Sequence, residues 1–218
     1  MKIIIDAGHG GSDFGAVSKD GTKMEKNYTL KYATYLGRFL TQRGYTTVET
    51  RTTDIDTPFH DRTSIASPED LFISIHFDED SFYGGGSMIY YADFYKAAAQ
   101  RLAASKKFAE NEQFYLHTQR VVGSTTSRFN RLYIDDNKCP AILIEVTSID
   151  KADASNSAME AFSQNVLQGI RKYEGKALPF SRVFLVNHDN SSCEVEIERM
   201  SIVGDKLYIA PKTDMCKK

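Results

Sequence analysis

Short apolar runs alternate along the chain with longer stretches in which apolar residues recur every three or four positions. The first pattern predicts buried strands and the second predicts amphipathic helices. Residues 2–6 (KIIID) form a strand closed by a glycine-rich turn. Leu30, Ala33, Leu36 and Leu40 mark one face of a helix over 24–43, which Gly44 stops. Strands are expected at 45–51, 71–76, 88–92 and 141–146. Residues 94–111 read as helical, 113–122 as a second helix and 132–134 as a short strand. A closing helix spans 158–173, with Met159, Phe162, Val166 and Ile170 on one face. This alternation defines an α/β fold: a single domain with a mainly parallel, twisted sheet flanked by helices.

After Gly175 the pattern changes. Strand-like alternation appears at 182–186, 193–197 and 206–209, separated by Asn, Asp, Ser and Gly turns. The expected division is a main domain over 1–174 and a small β-rich appendage over 175–218. The appendage is too small to be stable alone, so it is expected to pack on the main domain.

Composition narrows the possibilities. Apolar residues make up 41% and charged residues 26% of the 218, ordinary values for a globular protein. A formal net charge of -2, with Lys and Arg scattered, gives no reason to expect a nucleic-acid partner. No apolar run approaches the roughly 20 residues of a membrane helix, so no membrane insertion is expected. The opening MKIIID is too short for a signal peptide, which predicts synthesis in the cytoplasm without a leader. Cys139, Cys193 and Cys216 include no CxxC, which leaves neither a cysteine-type zinc site nor a redox motif.

Ligand sites in parallel sheets lie beyond the carboxyl ends of the strands. His9 follows the first strand, His76 ends the third and Glu145 lies near the end of AILIEV. Glu25 opens the first long helix. Two imidazoles and one carboxylate are a common ligand set for catalytic zinc, with a fourth position left for water. A second carboxylate can then take the proton from that water. Each residue also has an ordinary structural reading. A histidine in a glycine turn can bond the backbone, and one at a strand end can belong to the core. Glu25 can serve the helix dipole. Glu145 is the hardest to dismiss, because an acid inside an apolar strand must be paired or functional. Asp6 and Asp13 could each orient a ligand imidazole or merely stabilise a turn. Arg62 could hold a substrate carboxylate or a structural acid. A dinucleotide site fails because G-x-G-x-x-G would need glycine where Asp13 stands.

The motifs taken together resemble the N-acetylmuramoyl-L-alanine amidase family known as amidase type 3. Residues 6–16 read DAGHGGSDFGA, KMEKNYTL places Glu25 before the helix, and ETRTTD supplies Arg51 and Asp54. FISIH ends in His76 and PAILIEV contains Glu145. The resemblance runs from Met1 to about Tyr173. It implies zinc (Zn2+) held by His9, Glu25 and His76, with Glu145 as catalytic acid and base. The substrate it implies is peptidoglycan, cut between N-acetylmuramic acid and L-alanine. The chain departs from the family in having Phe77-Asp78 after the second histidine and Thr147-Ser148 after Val146. Asp78 is therefore expected to add negative charge beside the metal. Joined to the short N-terminus, the resemblance suggests a phage-type endolysin acting on the cell wall, with a sporulation hydrolase second. The expected state is a monomer or weak dimer.

Overall fold

The structure, a computed structural model, describes residues 1–79, 87–94, 99–116, 118, 120–127 and 132–176, together with the backbone of 182–186, 192–203 and 206–211. The chain divides into two compact units, Met1–Lys176 and Ala177–Lys218.

The first unit contains β1 (Ile3–Ala7), α1 (Glu25–Thr41), β2 (Thr47–Glu49), α2 (Phe59–Ser64), β3 (Leu71–Asp78), β4 (Met88–Tyr91), α3 (Ala99–Leu116), β5 (Arg120–Gly123), β6 (Ala141–Ser148) and α4 (Asn156–Tyr173). Its six strands lie in the order β2-β1-β3-β6-β4-β5. The pairings β1–β2, β1–β3, β3–β6 and β4–β5 are parallel. Only β4–β6 is antiparallel among the pairings of this sheet's described strands. The α/β class and mainly parallel sheet are as the pattern predicts.

Strand periodicity sorts the core into two faces. Ile3, Ile5, Leu71, Ile73, Ile75, Ile142 and Ile144 face α1, α3 and α4, where they meet Leu36, Phe108 and Val166. Ile4, Phe72, Ala141 and Leu143 face the other way, toward Ala66, Ile134 and Cys139. Asp6, Ser74, His76 and Glu145 continue this second alternation. The polar residues at the strand ends therefore emerge on the face opposite the long helices.

The helix predicted over 94–111 is present as α3, described over Ala99–Leu116, with 95–98 outside the described residues. Two expectations are corrected. The second helix expected over 113–122 does not form: α3 runs to Leu116 and Arg120–Gly123 is a strand, with residues 117 and 119 outside the described set. Val121 and Val122 gain ladder partners in Ile89 and Tyr90, and pairing at the sheet edge overrides helical spacing. The strand expected at 132–134 is instead a 3₁₀ turn, Tyr133–Asp136. Asp135 pins it by accepting the N–H groups of Asp93 and Phe94 at 3.0 and 3.1 Å.

Between α3 and α4, Glu112 is fully buried with neither carboxyl oxygen hydrogen-bonded. A β-carbon on Gly169 would lie 2.3 Å from its Cδ, so glycine makes the room for this carboxyl. Among the described residues no helix is long and apolar enough to cross a membrane.

The second unit is an antiparallel meander of β7 (Arg182–Val186), β8 (Ser192–Val203) and β9 (Lys206–Pro211). Its middle strand is longer than the predicted 193–197, with a register irregularity between Ile197 and Arg199 that lets one strand serve both neighbours.

Candidate metal centre

The chain leaves β1 through Gly8-His9-Gly10-Gly11, and the backbone there is unusual. His9 has φ +59°, Gly10 +132° and Gly11 +56°. Positive φ is uncommon for a residue with a side chain, and such outliers concentrate at functional sites. Two buried arginines hold the turn in place. Arg51 donates to the carbonyls of Ala7 and Gly8 at 3.0 and 2.9 Å. Arg62 donates to those of Ala7 and His9 at 2.6 and 2.8 Å. Asp54 accepts the N–H of Gly11 at 2.8 Å and the Lys26 ammonium at 2.7 Å.

This turn, the start of α1 and the end of β3 bring three side chains together. One donor atom from each of His9, Glu25 and His76 lies within 4.8 Å of the other two. Glu25 Oε1 is 2.9 Å from His76 Nδ1, and Oε2 is 3.0 Å from His9 Nε2. Backbone amides fix the same carboxylate: Ala16 N–H donates at 2.7 Å and Phe77 N–H at 3.0 Å. Glycine is required at two close approaches. A β-carbon on Gly8 would stand 2.4 Å from the His76 ring, and one on Gly15 2.5 Å from Glu25 Oε2. Burial alone would raise the Glu25 carboxyl, but the bonds to His76 and His9 hold it far below the usual carboxylate range. Burial would lower His9, yet its contacts with Glu25 and Asp13 raise it. Two imidazoles converging on an ionised carboxylate form a donor set suited to zinc.

Glu145 is the register partner of His76 on the adjacent parallel strand. Partners across a parallel ladder share a face, so the second carboxylate stands beside the cluster. Just beyond it, the β3–β6 register shifts between His76 and Asp78, bending the strand ends at the site.

The other candidate residues separate. Asp13 Oδ2 lies 2.8 Å from His9 Nδ1, which leaves Nε2 facing Glu25. Asp6 touches no ligand imidazole. It is fully buried and paired with Arg62 at 2.9 Å, and it also accepts from Thr50 and Ser74 at 2.6 and 2.7 Å. Burial would raise Asp6, but Arg62 and its hydroxyl donors bring it below the usual range. Arg62 thus holds a structural acid and the His9 carbonyl, not an exposed ligand. Asp78 is buried at the end of β3, accepts the N–H of Glu79 at 2.8 Å, and is not part of the His–Glu–His cluster. The sequence reading did not single out Tyr133. Its hydroxyl is 3.2 Å from His76 Nε2 and 2.6 Å from Ser74 Oγ, and it donates to Asp6.

An α/β sheet with a His–Glu–His cluster at its carboxyl edge and a further glutamate alongside defines a protein with a ligand set suited to a divalent metal ion. The sequence comparisons are more specific: residues 3–172 match the N-acetylmuramoyl-L-alanine amidase family, and the chain belongs to it. It is 31% identical over 170 residues to the probable cell wall amidase LytH of Staphylococcus aureus, covering 76% of this chain and 54% of that one. The LytH of Staphylococcus epidermidis is 34% identical over 178 residues, covering 78% and 57%. The chain thus spans about half the length of the curated relatives it matches. The catalytic domain of CwlV, an N-acetylmuramoyl-L-alanine amidase from Bacillus (Paenibacillus) polymyxa var. colistinus, superposes with a TM-score of 0.66 at 26% identity, covering 81% of this chain and all of that one.

Proposed function

We propose that this chain is a zinc-dependent amidase that hydrolyses the bond between N-acetylmuramic acid and L-alanine in the peptidoglycan of the bacterial cell wall. The observation that supports it most is the convergence of His9, Glu25 and His76 beside Glu145, in a member of this amidase family. His9, Glu25 and His76 would hold the metal. A zinc ion bound there supplies Lewis-acid polarisation of the scissile carbonyl and lowers the pKa of water.

The remaining chemistry belongs to the chain. Glu145 takes a proton from the attacking water as the carbon–oxygen bond forms. It returns that proton to the alanine nitrogen as the carbon–nitrogen bond breaks, so one carboxylate serves as base and then acid. Asp13 keeps the Nδ1 proton on His9 and so directs Nε2 to the centre. Ala16 and Phe77 N–H hold the Glu25 carboxylate in one orientation. Residues 1–174 carry this activity, and 175–218 form a small β-rich appendage.

Two variants separate the roles. Glu145→Gln should keep zinc and lose about 10²- to 10⁴-fold in turnover on purified peptidoglycan. His76→Ala should lose zinc together with activity. Equal loss of zinc in both would contradict the assignment of Glu145 to proton transfer.

A further inference from the structure

We infer that Tyr133 is a positioning residue for the metal centre: its hydroxyl accepts the Nε2–H of His76 and so keeps Nδ1 as the ring nitrogen turned to the metal position it shares with Glu25. The inference rests on the metal reading given under Proposed function, and it goes beyond the residues that reading uses.

The argument starts with hydrogens. A phenol has one hydrogen to give and oxygen lone pairs to receive. Tyr133 contacts three groups: Asp6, Ser74 Oγ at 2.6 Å and His76 Nε2 at 3.2 Å. Asp6 is an ionised, fully buried carboxylate beside Arg62, and it can only accept. The Tyr133 hydrogen therefore goes to Asp6. The oxygen is left as an acceptor, and the hydrogen facing it belongs to Nε2 of His76. With Nε2 protonated, Nδ1, which lies 2.9 Å from Glu25, is the nitrogen that gives up its hydrogen and offers its lone pair to a metal held with that carboxylate. A ligating histidine is commonly fixed in this way by the partner of its other nitrogen, usually a carboxylate or carbonyl. Here a tyrosine stands between the imidazole and the carboxylate of Asp6.

The surroundings hold this phenol still. Its ring stacks on Phe59 with centroids 4.6 Å apart and planes within 6°. The turn that carries it is tied down by Asp135 through the N–H groups of Asp93 and Phe94. Arg101 clasps the carbonyls of Asp135 and Asn137 from the other side. Asp6 is equally fixed by Arg62 and Thr50. Nothing on this path needs to move for His76 to be oriented.

The test uses the full chain and two substitutions. Tyr133→Phe keeps the ring stack and removes only the hydroxyl. Ser74→Ala removes another hydroxyl from Asp6 and from Tyr133 but none from His76, so it controls for general damage to the buried network. Zinc affinity is measured by competition with a chromophoric chelator. The Nε2 proton of His76 is followed by nitrogen-edited NMR of the zinc-loaded protein. Tyr133→Phe should raise the zinc dissociation constant on the order of 10- to 100-fold and shift the Nε2 proton resonance. Ser74→Ala should do neither. An affinity within twofold of wild type in Tyr133→Phe overturns the inference, and so does equal weakening by Ser74→Ala or an unmoved resonance. Wild-type protein with no zinc affinity would instead overturn the metal reading itself.

Discussion

His9 occupies a left-handed backbone conformation between two glycines, and that placement turns its Nε2 toward Glu25. Gly15 lies on the opposite side of the same contact, at φ +64°. A β-carbon there would meet Glu25 Oε2 at 2.5 Å and His9 Cδ2 at 2.6 Å. Gly15→Ala should therefore weaken zinc binding on the order of 10- to 100-fold while the chain stays folded, because it displaces two ligands at once. Chelator competition checks this, and unchanged affinity would show that the His9–Glu25 approach is not needed. At this scale much of the site was legible in the sequence. His9, Glu25, His76 and Glu145 stood out as polar groups at strand and helix ends, where α/β sheets place their chemistry. Asp6 and Arg62 were marked as candidates, but their pairing with each other depends on two distant segments meeting. Tyr133 was illegible because its role comes from a turn that the local pattern describes as a strand.

At the scale of elements, the apolar strands and the 3.6-residue periodicity of α1 and α4 were readable because burial imposes them directly. The stretch from 112 to 134 was not. β5 exists because β4 offers an edge, and the 133–136 turn exists because Asp135 ties it to the end of β4, both long-range causes. The same region contains an acid with no compensating partner. Burial pushes the Glu112 carboxyl well above its ordinary value of 4.5. Since the folded-state pKa is the higher one, the folded form holds the extra proton. The contribution of Glu112 to stability is thus present below about pH 4.5 and is lost as pH rises through the folded-state value. Glu112→Gln should melt like wild type near pH 4 and be more stable near pH 8 by roughly 1–3 kcal/mol. Thermal unfolding at the two pH values tests it, and a difference independent of pH would mean that the carboxyl is not neutral inside the fold.

For the molecule as a whole, the three proposed ligands come from the turn after β1, the start of α1 and β3, so holding a metal requires the folded sheet. A ligand that binds only the folded state stabilises it. Zinc at 100 times its dissociation constant should add about 2.7 kcal/mol. For a domain of this size that corresponds to a melting temperature roughly 5–10 °C higher. His76→Ala should abolish the shift, and a variant that retained it would place the metal elsewhere. Fold and family leave the bond cleaved as the central claim. Mass spectrometry of muropeptides released from purified peptidoglycan, with and without a zinc chelator, tests it most directly. The account predicts stem peptides with a free L-alanine amino terminus, formed by the zinc-loaded protein and absent once the metal is removed. Intact lactyl–alanine linkages, or cleavage confined to glycosidic or peptide cross-link bonds, would contradict it.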